Sequence, residues 1–145
     1  MKWAMELCTL LDSVKRIAVL GIKTKDHLGE PAYDVPWYLT TVGFDVVPVP
    51  VYFPDVKEIL GKPVYRRLVD VPGDVDLVNV FRRPKDLAAH ESDILARRPR
   101  IVWLQQGIRD DAFAERLTLA GITVVQDRCI LVQHSLCAAA KLQRG

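Results

Sequence analysis

The sequence predicts an α/β fold in which a parallel sheet of about five strands is covered by helices on both faces. Short β-branched runs alternate along the chain with stretches of helical periodicity, which is typical of a doubly wound sheet. Several of these runs are apolar nearly throughout, as strands buried on both faces should be. The length of 145 residues, without an internal repeat or linker, predicts one domain over 1–145.

Each element follows from the same pattern. A short amphipathic helix is predicted within residues 1–13. Five strands are predicted at Arg16–Leu20, Phe44–Val49, Val75–Val80, Ile101–Leu104 and Ile122–Val125, in the order 3-2-1-4-5 across the sheet. Helices are predicted at Tyr33–Thr41, Asp86–Arg98 and Asp110–Ala120, with two short helical turns in Val56–Leu68, where Gly61 and Pro63 interrupt the pattern. Residues 138–145 are predicted to be a loosely ordered tail.

Composition excludes several classes of protein. With 50% hydrophobic and 26% charged residues, the chain has enough apolar material for a core, which excludes disorder and low complexity. A net charge of +2, with no interleaving of basic and aromatic residues, does not favour nucleic acid. No apolar run approaches the roughly 20 residues that span a bilayer, so we expect no membrane partner. An anionic ligand must therefore be bound by local charges.

The cysteines and histidines give no sign of a metal site. The chain has an odd number of cysteines, Cys8, Cys129 and Cys137, and no CxxC pair. Neither a disulfide framework nor a zinc knuckle is therefore expected. The three histidines are scattered along the chain. This cysteine usage predicts a reducing, cytoplasmic location.

The candidate site lies where the predicted strands end, because open α/β sheets bind ligands beyond the carboxyl ends of their strands. Gly21, directly after the first strand, permits close backbone approach. A GxGxxG dinucleotide fingerprint would need glycines where Lys23 and Asp26 stand. The second strand is followed by Pro50-Val51-Tyr52 and lacks the acid that binds an NAD ribose. Both absences argue against NAD.

Six blocks of sequence carry a family resemblance. They are, in order, Ile17–Gly21, Tyr38-Leu39 with Gly43-Phe44, Val46–Val49, Val80–Pro84, Val102–Ile108 and Val125–Cys129. Together they resemble the small stand-alone CoA-binding domain proteins, relatives of the CoA-binding domain in the succinyl-CoA synthetase α subunit. The resemblance implies a three-layer, Rossmann-like fold that binds coenzyme A at the turns after its strands. The chain departs from many relatives at Lys23, where they have a small hydroxyl residue, and at Pro50-Val51, where they have Asn-Pro.

The residues expected to bind the cofactor follow from these turns. They are Gly21, Ile22, Lys23, Lys25, Pro50, Val51, Phe81, Arg82, Arg83, Gln105, Gln106 and Gly107. The lysines place ammonium groups beside the expected phosphates, although a solvated loop is an equal alternative. An arginine fork at Arg82 or Arg83 suits a diphosphate, and the alternative for this pair is a surface salt bridge to Asp86 or Glu91.

No complete catalytic constellation is visible, so the expected function is non-catalytic binding of coenzyme A or acyl-CoA. Two rival functions remain open. One is an NAD(P)-binding, redox-sensing domain with the same fold. The other is a thiol-dependent enzyme that uses Cys129, which follows Arg128 and precedes His134, although cysteine is also among the most buried residue types.

Overall fold

The computed structural model describes the backbone of residues 2–144 and the side chains of residues 5–143. Its strands are β1 (Arg16–Leu20), β2 (Asp45–Val49), β3 (Glu58–Ile59), β4 (Lys62–Pro63), β5 (Leu77–Val80), β6 (Ile101–Leu104) and β7 (Thr123–Val125). Its α-helices are α1 (Lys2–Asp12), α2 (Pro31–Thr41), α3 (Glu91–Arg97), α4 (Asp111–Leu119) and α5 (Ile130–Arg144). Short 3-10 helices lie at Lys25–His27, Leu68–Asp70 and Pro84–His90.

Alternate strand residues face two separate helical layers. Ile17 and Trp103 pack in one cluster with residues of α1, α2 and α5. Ala18 and Leu104, their neighbours along the strands, pack in the other cluster with residues of α3 and α4. Because both faces of the sheet are covered, the strands are apolar nearly throughout. The predicted fold class, a three-layer Rossmann-like α/β sheet, is confirmed.

The strand order differs from the predicted one. The five parallel strands lie in the order β2-β1-β5-β6-β7, which is 2-1-3-4-5 in the numbering of the predicted strands. The predicted order 3-2-1-4-5 is therefore wrong: β2 is an edge strand, and β5 pairs with β1. Pro48 gives the physical reason, because a residue without an N–H is placed at sheet edges. The carbonyl of Pro48 accepts a hydrogen bond at 3.0 Å from the N–H of Tyr65, which lies just after β4.

Two predicted helical stretches also differ. Part of Val56–Leu68 is a β-hairpin, β3 with β4, whose turn residues Leu60 and Gly61 both have positive φ, as tight hairpin turns require. The stretch Asp86–Arg98 is a 3-10 helix followed by α3.

The end of the chain is helical where a loosely ordered tail was predicted. Helix α5 continues to Arg144, and Gly145 lies outside the described residues. No helix within residues 2–144 is long and apolar enough to cross a bilayer.

A disulfide corrects the interpretation of the cysteines. Cys8 on α1 and Cys137 on α5 are joined, with Cα atoms 5.5 Å apart, and Cys129 is a free thiol. The pair is 129 residues apart in sequence and meets because α1 and α5 pack side by side, which no spacing rule detects. Since disulfides are rare in reducing compartments, cysteine usage no longer supports the predicted location.

Candidate functional site

The sheet topology places a cleft at the carboxyl edge of the strands. The strand that follows β1 in the chain, β2, lies on one side of β1, and β5 lies on the other side. The loops after β1 and β5 therefore run in opposite directions, which makes the space between them a topological switch point. A cleft of about 510 Å³ opens there. It is lined by Lys23, Glu30, Pro31, Ala32, Phe81, Arg82, Arg83, Pro84, Gln105, Gln106, Gly107, Ile108 and Cys129.

Gly21 brings the two central loops together. Its φ of +87° is favourable for glycine, and a Cβ added there would overlap the carbonyl oxygen of Phe81. Gly21 N–H also donates to Val49 O at 2.9 Å, so the turn after β1 is fixed to both neighbouring strands. This glycine therefore allows the loops after β1 and β5 to approach each other, although it does not itself line the cleft.

Arg82 is held in place by groups on several elements. Its side chain is 13% exposed, whereas that of Arg83 is 66% exposed. Arg82 donates from Nε to His90 Nε2 at 3.2 Å and from Nη1 to the Tyr52 hydroxyl at 3.4 Å. Its guanidinium also lies 5.6 Å from the centre of the Tyr52 ring. The hydrogen bond from Arg82 to the Tyr52 hydroxyl lowers the pKa of Tyr52.

Arg83 forms the surface salt bridge to Asp86 that was the alternative to a ligand contact. Its Nε donates to Asp86 Oδ2 at 3.0 Å, while Arg82 lies 3.9 Å from the same carboxylate. Glu91, the other acid considered for this pair, binds Arg116 instead at 2.8 Å. The two arginines therefore have different surroundings.

An acid pairs with the lysine on the opposite wall of the cleft. Lys23 Nζ lies 2.7 Å from Glu30 Oε1, and His27 Nδ1 lies 2.5 Å from Glu30 Oε2. The hydrogen bonds from Lys23 and then His27 lower the pKa of Glu30. Glu30 precedes Pro31, the first residue of α2, so its charge lies at the positive end of that helix.

The loop after β6 is tied to the rest of the fold. The Gln105 side chain is buried, and its Oε1 accepts from Asn79 Nδ2 at 3.2 Å and from Ile130 N–H at 3.1 Å. Gly107 N–H donates to Asp127 Oδ1 at 2.6 Å. Gln106 is exposed and adjoins the cleft without that constraint.

Comparisons with known proteins identify the family of this chain. Residues 15–135 match the model of the family described as CoA binding domain. The chain belongs to this family. Protein YneT of Bacillus subtilis, itself uncharacterized, is 31% identical over 131 residues, which cover 90% of this chain and 93% of YneT. A solved structure from Thermus thermophilus is 40% identical, covers 92% of this chain and 98% of its own, and superposes with a TM-score of 0.84.

A larger enzyme contains the same fold. An acetyl-coenzyme A synthetase from Ca. Korarchaeum cryptofilum, solved with phosphate and ADP, is 18% identical over 76% of this chain and 25% of its own, with a TM-score of 0.65. At this identity the likeness concerns the fold alone. The same fold is thus found both as a small protein and as a part of a larger chain.

The expected binding residues of this CoA-binding domain divide into two groups. Those that line the cleft are Lys23, Phe81, Arg82, Arg83, Gln105, Gln106 and Gly107. The others lie elsewhere: Ile22 and Pro50 are buried, Lys25 is exposed in the 3-10 helix after β1, and Val51 packs against the core beside β2. Gly21 does not line the cleft but contacts Phe81, which does.

Sequence reasoning missed part of the lining. Glu30, Pro31 and Ala32 were not expected in the cleft. The pair Glu30-Pro31 was the available signal, since proline favours the first helical position and would have moved the predicted start of α2 from Tyr33 to Pro31. The partners of Arg82 carry no comparable signal, because Tyr52 and His90 are 30 and 8 residues away in sequence.

Two further hollows differ from the cleft. A polar cavity of about 290 Å³ is lined by Val51, Arg66, Arg67, His90, Ser92 and Asp93, among others. A groove of about 890 Å³ between α1 and β7 is lined by Met5, Glu6, Thr9, Leu10, Ser13, Thr123, Val124 and Val125. The groove is larger than the cleft but has no basic lining residue among the described side chains. The cleft is therefore a stronger candidate for an anionic ligand than the groove.

Proposed function

We propose that this CoA-binding domain holds coenzyme A or acyl-CoA in the cleft at the carboxyl edge of its sheet, without catalysing a reaction. The observation that carries the proposal is the position of Arg82 in the wall of that cleft, held by His90 and Tyr52. Membership of the CoA binding domain family supports the choice of ligand.

The chemistry of the cofactor fits the lining. Coenzyme A has a diphosphate and a 3′-phosphate, and a guanidinium donates paired hydrogen bonds to phosphate oxygens. Arg82, Arg83 and Lys23 supply three cationic side chains around one cleft. Its volume of about 510 Å³ lies within the range of small-molecule sites. The pantetheine part of the ligand would extend along the apolar lining, which includes Phe81 and Ile108.

The charged lining suits binding better than acid–base chemistry. Arginine remains protonated at neutral pH, so Arg82 and Arg83 do not transfer protons. Lys23 and Glu30 neutralise each other across 2.7 Å. The proposed role therefore ends with binding of the cofactor.

Calorimetric titration tests the proposal. We expect saturable binding of coenzyme A, weaker binding of dephospho-CoA if the 3′-phosphate is recognised, and little heat from NAD or NADP. A thermal-shift series with the same ligands checks the result, because a ligand that binds the native state raises the melting temperature. No response to coenzyme A at millimolar concentration would contradict the proposal, and a preference for NAD or NADP would favour the dinucleotide alternative.

A second candidate function rests on Cys129. This half-buried free thiol lines the same cleft, while the other two cysteines are bonded to each other. In that function, the Cys129 thiolate attacks one sulfur of CoA disulfide. A mixed disulfide forms, and the other coenzyme A leaves as a thiolate.

Mass spectrometry separates this candidate from reversible binding. After incubation with CoA disulfide, the candidate predicts one CoA-sized adduct on Cys129, formed faster than on a short peptide thiol and absent in Cys129→Ser. Reaction no faster than that of the peptide would exclude the thiol function and leave non-covalent binding unaffected.

A further inference from the structure

His90 lies behind the arginine that the cleft presents to its ligand. It is the last residue of the 3-10 helix Pro84–His90, is half-buried, and lines the polar cavity beside β2. Its Nε2 lies 3.2 Å from Arg82 Nε. Because arginine only donates hydrogen bonds, Nε2 must be the acceptor, which requires a neutral ring with its proton on Nδ1.

We propose that His90 is a positioning residue for Arg82 and that its protonation weakens the binding of anions in the cleft. This inference rests on the proposed function, in which Arg82 contacts a phosphate of the ligand. With the ring neutral, the hydrogen bond holds the guanidinium in the cleft wall. With the ring protonated, the acceptor is lost and a second positive charge stands beside Arg82, so the arginine is displaced from that position.

The charged groups around His90 shift its pKa in both directions. Arg82 disfavours the protonated ring, whereas Asp86 and Asp93 favour it. Arg66 and Arg67 line the same cavity, but Arg67 is paired with Asp93 at 2.7 Å, and Arg66 donates to backbone carbonyls that include Phe53 O at 2.8 Å. Glu91, the next residue, is paired with Arg116.

These surroundings set the pH range of the effect. Burial first, and the Arg82 charge second, lower the pKa of His90 below that of an ordinary histidine. The neutral ring that supports binding is therefore favoured at neutral pH. Protonation, and with it the loss of affinity, occurs at a lower pH than for an ordinary histidine.

The experiment measures the affinity for dephospho-CoA by calorimetry at about pH 7.5 and at about pH 5. This ligand is chosen because a phosphate monoester, such as the 3′-phosphate of coenzyme A, itself titrates near pH 6. The variants are His90→Gln, which keeps an acceptor that does not titrate, and His90→Ala, which has none. His134→Gln is the control, because His134 is also half-buried with a lowered pKa but lies on α5, where it is hydrogen-bonded to Tyr38 of α2 and not to Arg82.

We expect wild type and His134→Gln to bind more weakly at the lower pH, by as much as about tenfold once the ring is fully protonated, the size of one lost charge-assisted hydrogen bond. His90→Gln should keep its affinity within about twofold across the range, and His90→Ala should be weak at both pH values. A His90→Gln variant with the wild-type pH profile, or a His90→Ala variant with wild-type affinity, would overturn the inference.

A readout without ligand separates this inference from the proposed function. Nitrogen NMR of the free protein at neutral pH should show His90 with its proton on Nδ1 and an Arg82 Nε–H signal that His90→Ala shifts. A proton on Nε2 would overturn the positioning role even if coenzyme A binds. Failure of the wild type to bind coenzyme A as well as dephospho-CoA, at both pH values, would overturn both proposals.

Discussion

The two sides of the cleft are built differently. On the side of β5, Arg82 is almost buried and is fixed by His90 and Tyr52 before any ligand arrives. On the side of α2, Lys23 is about one-third exposed (34%) and is neutralised by Glu30. We call these the β5 side and the α2 side.

The difference concerns the cost of binding. A side chain that is already immobilised loses little conformational entropy when a ligand binds, whereas a mobile lysine that must leave its acid loses both entropy and a salt bridge. We therefore expect the β5 side to contribute most of the affinity for phosphate. The α2 side should limit that affinity, because Glu30 competes with the ligand for Lys23.

The largest difference is expected in stability, between Gly21, whose turn after β1 touches Phe81 on the β5 side, and Gly107 in the loop after β6. Both have positive φ, but an added Cβ overlaps backbone at Gly21 and meets nothing within 4 Å at Gly107. We expect Gly21→Ala to lower the free energy of unfolding by about 3 kcal/mol and Gly107→Ala by about 1 kcal/mol. Urea unfolding checks this, and equal losses would show that the two loops are equally relaxed.

The next largest effect distinguishes the two arginines. Arg82→Ala should weaken binding of coenzyme A by about 1.5–3 kcal/mol, or roughly 10- to 150-fold, if it makes a charge-assisted bond to phosphate. Arg83→Ala, the matched control, should cost less than about 1 kcal/mol because its exposed side chain is screened by solvent. Calorimetry measures both variants. A larger loss for Arg83→Ala would reverse the comparison.

The smallest effect has the opposite sign. Glu30→Gln should strengthen coenzyme A binding by about two- to fivefold, because it removes a negative charge from the cleft and releases Lys23. Asp26→Asn is the control, since this acid lies in the same loop but does not line the cleft. Raising the salt concentration should shrink the gain. Weaker binding by Glu30→Gln would mean that the carboxylate helps to hold the ligand.

The sequence could predict the sheet and the turns that reach the cleft because both follow from local signals. Apolar runs mark the buried strands, and the carboxyl-end rule then selects Phe81–Arg83 and Gln105–Gly107. The position of β2 at the edge was also predictable, from Pro48. The hairpin turn at Leu60-Gly61 was harder to predict, because leucine rarely adopts positive φ.

The remaining features depend on contacts between distant parts of the chain. The Gln105 side chain turns inward because Asn79 and the first amide of α5 offer it partners. The Cys8–Cys137 bond requires α1 and α5 to pack together. Neither contact is encoded in spacing, so residue type alone could not distinguish a structural glutamine from a ligand contact, or a paired cysteine from a free one.

One measurement tests the central claim most directly: an amide NMR titration of the whole chain with coenzyme A. The account predicts shifts concentrated at Lys23, Ala32, Arg82, Arg83, Gln106 and Gly107, with Thr9, Thr123 and Val124 in the groove between α1 and β7 unchanged. Shifts centred on that groove, or none at saturating coenzyme A, would contradict it.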